Sequence, residues 1–188
     1  MLNKETKGLL VVGMVLVLSI LFRFIPHFPN FAPITALALF SGYSLGKSRL
    51  SILIPIVVVF LSDLLLHLVS SGVWGFYPDM VFTYGAYMLI SLIGVGLTKI
   101  KNRNVLVTAV GGGVLASITF FLVSNFGVWA VTNMYPKNGI GLLACYEAGL
   151  LFYRQNFTIV SDLLFSIIMF GLATYVFKLN VKSEKALA

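Results

Sequence analysis

Charged side chains are scarce in this chain. Of its 188 residues, 10% are charged and 59% are hydrophobic. A soluble domain carries about 25% charged residues, so this composition does not supply a water-facing surface. We therefore expect an all-α, polytopic membrane protein that forms a single transmembrane domain over residues 1–188.

The sequence has a single cysteine and none of the common catalytic motifs. Cys145 is the one cysteine, which excludes an internal disulfide and a cysteine-based zinc site. The sequence contains no His-Glu-x-x-His, no Gly-x-Ser-x-Gly and no phosphate-binding loop. We therefore expect no enzyme, no cofactor and no metal site, and no means of coupling transport to ATP within this chain.

The basic residues that are present mark the ends of the apolar runs. Ten of the thirteen lie at Lys4/Lys7, Lys47/Arg49, Lys99/Lys101/Arg103 and Lys178/Lys182/Lys185, and the other three are Arg23, Lys137 and Arg154. Because cytoplasmic loops retain Lys and Arg, this pattern predicts that both termini are cytoplasmic. The dispersed charges do not form the basic face that nucleic acid requires.

The apolar runs define six predicted spans. They cover residues 8–24, 34–45, 50–69, 80–98, 104–128 and 156–178. The connections at 25–33, 70–79 and 129–155, here called the outer connections, are then extracytoplasmic. The last contains an apolar stretch at 139–152 that is too short to span comfortably, so we expect an interfacial or partly re-entrant lid helix there.

Two aspartates lie within predicted spans. Asp63 and Asp162 each fall in the outer half of a span, where a charge costs about 2.5–3.5 kcal/mol on insertion scales. Such residues often mark a substrate or ion path, although each could instead cap a broken helix or bond to neighbouring hydroxyls. His67 follows Asp63 by one helical turn and could be a hydrogen-bond partner or part of a proton relay.

Aromatic residues are concentrated on the predicted outer side. A belt at the lipid headgroups would appear on both sides, yet near the inner boundary there are only Tyr43 and Tyr175. The asymmetry favours an aromatic-lined pocket beneath the outer connections. The residues predicted to contact a ligand are His27, Asn30, Asp63, Trp74, Tyr77, Tyr84, Asn125, Trp129, Tyr146 and Asp162.

Small residues frame the second predicted span. Ala32 and Ala36, and likewise Gly42 and Gly46, are four residues apart. This spacing favours close helix packing within the bundle, and a surface for a partner subunit is the alternative.

Several segments together resemble a known pattern. They are Pro26–Gly42, Pro55 with Leu61–Asp63, Phe121–Trp129 and Gly141–Tyr146. They resemble a family of uncharacterised six-span bacterial transport proteins, and through it the S-components of energy-coupling-factor (ECF) transporters. The solitary cobalamin-type members are the most similar, on the Tyr-rich stretch Gly75–Tyr87. The resemblance implies a six-helix bundle in the bacterial inner membrane. It also implies a vitamin-like ligand bound under outward loops, and an ECF-type energising module as partner.

Three hypotheses for function follow. The leading one is a substrate-binding membrane subunit for uptake of a vitamin-like small nutrient. The second is a stand-alone proton-coupled carrier or channel using Asp63, His67 and Asp162. The third is a non-transport scaffold subunit of a larger membrane complex.

Overall fold

The fold is a bundle of helices. The computed structural model describes residues 13, 17–25, 28–73, 75–100 and 104–176, and every regular element within these ranges is helical. Helix α1 comprises residues 17–22. It is followed by α2 (Ile34–Leu45), α3 (Leu50–Val69), α4 (Met80–Leu97), α5 (Val105–Val131), α6 (Gly139–Gln155) and α7 (Thr158–Gly171), and α7 continues into a π-helical segment, Leu172–Val176.

Among the residues that the structure describes, four helical segments are long and apolar enough to cross a membrane. They are α3, α4, α5 and the segment Thr158–Tyr175. Large apolar side chains on these helices point away from the bundle, as shown by Leu68 at 65% and Val81 at 74% exposure. An outward apolar surface of this extent has no partner in water but is solvated by lipid. By length and composition, the chain is a membrane protein.

Helix α2 is the centre of the bundle. All nine residues from Ile34 to Gly42 are buried, and α2 packs against α3, α4, α5 and α7. A Cβ atom on Gly42 would overlap the carbonyl of Ser91, and one on Gly94 would overlap the carbonyl of Leu39. Glycine at both positions therefore allows the backbones of α2 and α4 to approach closely.

The helix bounds agree with the predicted spans in the middle of the chain and differ towards the end. Helices α2 and α3 have the predicted bounds, and α4 ends one residue earlier. Helix α5 continues to Val131, beyond the predicted end at residue 128, because no helix-breaking residue interrupts the apolar run. Most of the predicted span 8–24 lies outside the described residues.

The end of α5 is held by side chains from the connection that follows it. The Thr132 hydroxyl donates a hydrogen bond to the carbonyl of Val128 at 2.7 Å. The Lys137 ammonium donates to the carbonyls of Trp129 and Thr132. The last carbonyls of a helix have no partner within the helix, and a cation placed there also complements the helix dipole.

Helix α6 occupies the stretch predicted as a lid. It begins after Asn138, whose side chain accepts a hydrogen bond from the Gly141 amide at 2.9 Å. It packs against α5 and α7, and a Cβ atom on Gly149 would overlap the side chain of Asn125. A helix is therefore present at 139–155, and its interfacial position in a bilayer stays a prediction.

Candidate functional site

A cavity of about 790 Å³ lies where the three outer connections come together. Each connection contributes to its lining, with Asn30 from the first, Tyr77 from the second and Tyr135 from the third. Helices α2 to α7 supply further wall residues. Pockets of about 300–1,000 Å³ are those that bind cofactors and drug-sized molecules.

An ion pair lies in the wall of this cavity. A guanidinium nitrogen of Arg23 is 2.6 Å from Oδ1 of Asp63, and it also donates to the Ser62 hydroxyl at 2.5 Å. The Tyr84 hydroxyl donates to Oδ2 of Asp63 at 2.8 Å. Both oxygens of the carboxylate are therefore engaged, in the charge-assisted geometry that gives strong hydrogen bonds.

Helical periodicity explains why Asp63 faces inward. The buried residues in the middle of α3 are Pro55, Val58, Val59, Ser62 and Asp63. Spacings of three and four residues place them on one face of the helix. Asp63 is the outermost member of this face, so it reaches the cavity while remaining only 9% exposed.

One wall of the cavity is aromatic. Tyr87 of α4 and Phe120 of α5 stack with ring centroids 5.1 Å apart and an interplanar angle of 30°. Phe152 and Tyr153 of α6 also line the cavity. Flat apolar surfaces of this kind bind planar groups, whereas the polar groups around them fix orientation.

Polar side chains of α5 that line the cavity donate hydrogen bonds to backbone carbonyls of the same helix. The Asn125 amide donates to the Phe121 carbonyl at 2.8 Å, and the Ser124 hydroxyl donates to the Phe120 carbonyl at 2.6 Å. The Cys145 thiol donates to the Asn125 carbonyl at 3.3 Å, and burial raises the pKa of this thiol. Cys145 therefore packs in the wall of the cavity with its thiol buried and hydrogen-bonded.

The structure brings five of the predicted ligand contacts to the cavity. These are Asn30, Asp63, Tyr77, Tyr84 and Asn125. Trp129, Tyr146 and Asp162 are not among the lining residues, and His27 and Trp74 lie outside the described residues. Contact of the five lining residues with a ligand stays a prediction.

Trp129 and Tyr146, two of the aromatic residues predicted in the pocket, instead make hydrogen bonds within the helical hairpin of α5 and α6. The Trp129 indole donates to the Pro136 carbonyl at 2.9 Å. The Tyr146 hydroxyl donates to the Leu122 carbonyl at 3.0 Å. The prediction placed both rings by their position in the chain, whereas the direction in which each side chain points is set by these hydrogen bonds.

Asp162 also lies apart from the cavity lining. Its side chain is 1% exposed on α7, one helical turn after Thr158, which does line the cavity. His67 is likewise not a lining residue, because its ring packs against Phe76 with centroids 5.2 Å apart. The described structure therefore does not assemble Asp63, His67 and Asp162 into one relay.

Tyr87 and Phe120 are site residues that the sequence analysis missed, and so is Arg23. It was counted only as a basic residue of an outer connection, yet it lines the cavity and neutralises Asp63. A signal was present, since a basic residue on the predicted outer side is an exception to the charge rule. When such a basic residue lies next to the end of a span, any acidic residue within the spans is a candidate to form an ion pair with it.

Within the described ranges, no group of three or more His, Cys, Asp or Glu side chains is placed to bind a metal ion. Residues 3–185 match the model of a family of unknown function (DUF6580). No curated protein matches the chain, and no solved structure matches it.

Proposed function

We propose that this chain, which belongs to that family of unknown function, binds a small, partly aromatic or heterocyclic nutrient in the cavity for uptake across the bacterial inner membrane. The observation that carries the proposal is the cavity itself. A membrane-embedded bundle that encloses about 790 Å³ beside a neutralised ion pair has the features of a small-molecule site.

The lining defines the chemistry of the proposed ligand. The stacked rings of Tyr87 and Phe120 favour a flat group. The Arg23–Asp63 pair carries no net charge, and it offers both donors and acceptors to a polar group of the ligand. A neutral or zwitterionic ligand with a planar ring therefore fits this lining better than a strongly charged one.

The proposed orientation follows from the basic residues. In a six-span bundle with both termini in the cytoplasm, the cavity opens to the outside, and the connection that holds Lys47 and Arg49 faces the cytoplasm. Release of the ligand inward then requires reorientation of the bundle or an energising partner. The resemblance to ECF S-components is the reason for proposing such a partner.

The arrangement of the acidic residues favours this proposal over a proton-coupled carrier. Asp63 has both oxygens engaged by Arg23 and Tyr84, and His67 packs against Phe76 outside the cavity lining. A relay needs groups within hydrogen-bond reach of one another or of a shared water. No specific observation favours a scaffold role.

Thermal unfolding with a ligand panel tests the proposal. The protein is purified in mild detergent, and Tm is measured by intrinsic fluorescence with vitamins and nucleobases at increasing concentration. A ligand at 100 times its Kd stabilises by about 2.7 kcal/mol, which corresponds to a rise in Tm of roughly 5–11 °C for a chain of this size. We expect one chemical class to produce such a rise.

A pair of tyrosine variants provides the control. Tyr84→Phe removes the hydroxyl that holds Asp63 in the cavity wall, so we expect the affinity for the ligand to fall by about tenfold or more. Tyr146→Phe removes a hydroxyl bonded to a backbone carbonyl away from the lining, and affinity should be unchanged. Equal effects of the two variants, or no rise in Tm with any compound or with a small-molecule extract of the host, would contradict the proposal.

A further inference from the structure

A row of oxygen-bearing side chains runs along one face of α7. Thr158, Asp162 and Ser166 are each four residues apart, so they lie one above another on the helix. All three are buried, with exposures of 2%, 1% and 1%. This face meets α5, where Gly113 leaves room, since a Cβ atom there would lie 3.1 Å from the Ser166 hydroxyl oxygen.

None of these oxygens makes a hydrogen bond of standard distance and angle with a described residue. The same is true of the hydroxyls of Ser117 on α5 and Ser161 on α7. Buried polar groups are bonded in the large majority of cases, and an unpaired carboxylate in an apolar interior is especially costly. A group of five such side chains within the membrane region therefore points to a bound species.

The carboxyl group of Asp162 is the centre of this cluster. The hydroxyls of Ser117 and Thr35 lie beside it, so α2, α5 and α7 all present oxygens to the same place. The titratable groups near it are the phenols of Tyr87 and Tyr153. The guanidinium of Arg23, which also lines the cavity, is engaged by Asp63.

We propose that Asp162, together with the hydroxyls of Ser117 and Thr35, binds a dehydrated Na⁺ ion. Hard cations prefer oxygen ligands, and the single carboxylate matches a single positive charge. Oxygens from several helices that converge inside a membrane bundle form coupling-ion sites in transporters.

The cavity gives the ion a route to this site. Thr35 and Thr158 both line the cavity. Thr158 belongs to the buried row on α7, and Thr35 lies beside Asp162. An ion that enters the cavity therefore meets these two hydroxyls before it reaches the carboxylate of Asp162. The proposed site does not depend on whether the cavity also binds an organic ligand.

Equilibrium binding of ²²Na⁺ to the purified protein tests the site. We expect saturable binding of one ion per chain that excess Na⁺ displaces and choline does not. Asp162→Asn should abolish it, and Ser117→Ala should weaken it by about tenfold or more. Ser91→Ala is the matched control, because the Ser91 hydroxyl is equally buried but is bonded to the Tyr87 carbonyl at 2.9 Å, so binding should be unchanged.

Thermal unfolding distinguishes a sodium site from a proton site. At constant ionic strength, replacing choline chloride by NaCl should raise the Tm of the wild type by several degrees and leave Asp162→Asn unaffected. A Tm that responds to pH but not to Na⁺ would overturn the proposal, because the carboxyl would then hold a proton. If Asp162→Asn does not fold, Ser117→Ala and Ser166→Ala decide the matter, and unchanged ²²Na⁺ affinity in both also overturns it.

Discussion

Neutralising one partner of the Arg23–Asp63 pair should destabilise the bundle measurably. The pair joins the segment after α1 to α3, with 2.6 Å between the charged atoms. Asp63→Asn keeps the size of the side chain and an acceptor for the Tyr84 hydroxyl, but it removes the charge. The Arg23 guanidinium then stays in the cavity wall without a counter-charge.

The magnitude follows from how far the pair is buried. Removing one partner of a fully buried pair costs about 3–5 kcal/mol. The Arg23 side chain is 20% exposed and that of Asp63 is 9% exposed, so partial hydration places the cost at the lower end, about 3 kcal/mol. For a chain of this length, such a loss lowers Tm by roughly 6–12 °C.

A double-mutant cycle with Arg23→Gln isolates the interaction between the two side chains. The free energy of unfolding would be measured by SDS titration in lipid–detergent micelles for the wild type, both single variants and the double variant. We expect a coupling energy of about 2 kcal/mol. Asp79→Asn is the control, because Asp79 also lines the cavity but its side chain makes no capping hydrogen bond to α4. This substitution should cost less than about 1 kcal/mol. A coupling below about 0.5 kcal/mol would refute the reasoning.

Two further predictions concern packing and orientation. Gly94→Ala should destabilise by about 1–3 kcal/mol because its Cβ would overlap α2, whereas Gly96→Ala meets open space and should be neutral or stabilising in the same unfolding assay; equal effects would contradict the close α2–α4 contact. The orientation can be tested by labelling cysteines introduced in a Cys145→Ser background, at two positions that are both exposed in the structure. An impermeant maleimide added to intact cells should label Tyr77→Cys, whereas it should label Lys47→Cys only after permeabilisation. The reverse pattern would contradict the proposed orientation.

The sequence predicted the helices well because apolar runs and their breaks are local. The bounds of α2 and α3 follow from Pro33 and from the basic connection at Lys47 and Arg49. The end of α5 was harder to predict, because it depends on Lys137, whose ammonium reaches back to the last helix carbonyls. That contact is set by the path of a connection, which periodicity does not describe.

The candidate site could be predicted only in part. Asp63 stood out because a charge inside an apolar run is costly, and the cavity includes it. Its partner Arg23 could not be identified from spacing, since the two are 40 positions apart in the chain. Tyr146 shows the opposite limit, because its position in the chain predicted a pocket residue but its hydroxyl is bonded to α5.

The three basic residues on the predicted outer side, which are exceptions to the charge rule, each make a contact or occupy a position that composition alone did not indicate. Of the basic residues on the predicted outer side, Arg23 pairs with Asp63, and Lys137 caps α5. Arg154 lies in the last turn of α6, where a cation complements the helix dipole. Each of them therefore has a local electrostatic role that accounts for its place outside the connections predicted to be cytoplasmic.

The most direct test of the central claim is native mass spectrometry of the protein, released from detergent, with the ligand class found by thermal unfolding. The account predicts one bound small molecule per chain in the wild type. Thr83→Trp, which places an indole in the cavity lining, should lose it, and Thr119→Trp, on α5 outside the lining, should retain it. Binding that survives Thr83→Trp, or that is lost equally in both variants, would contradict the assignment of the cavity as the ligand site.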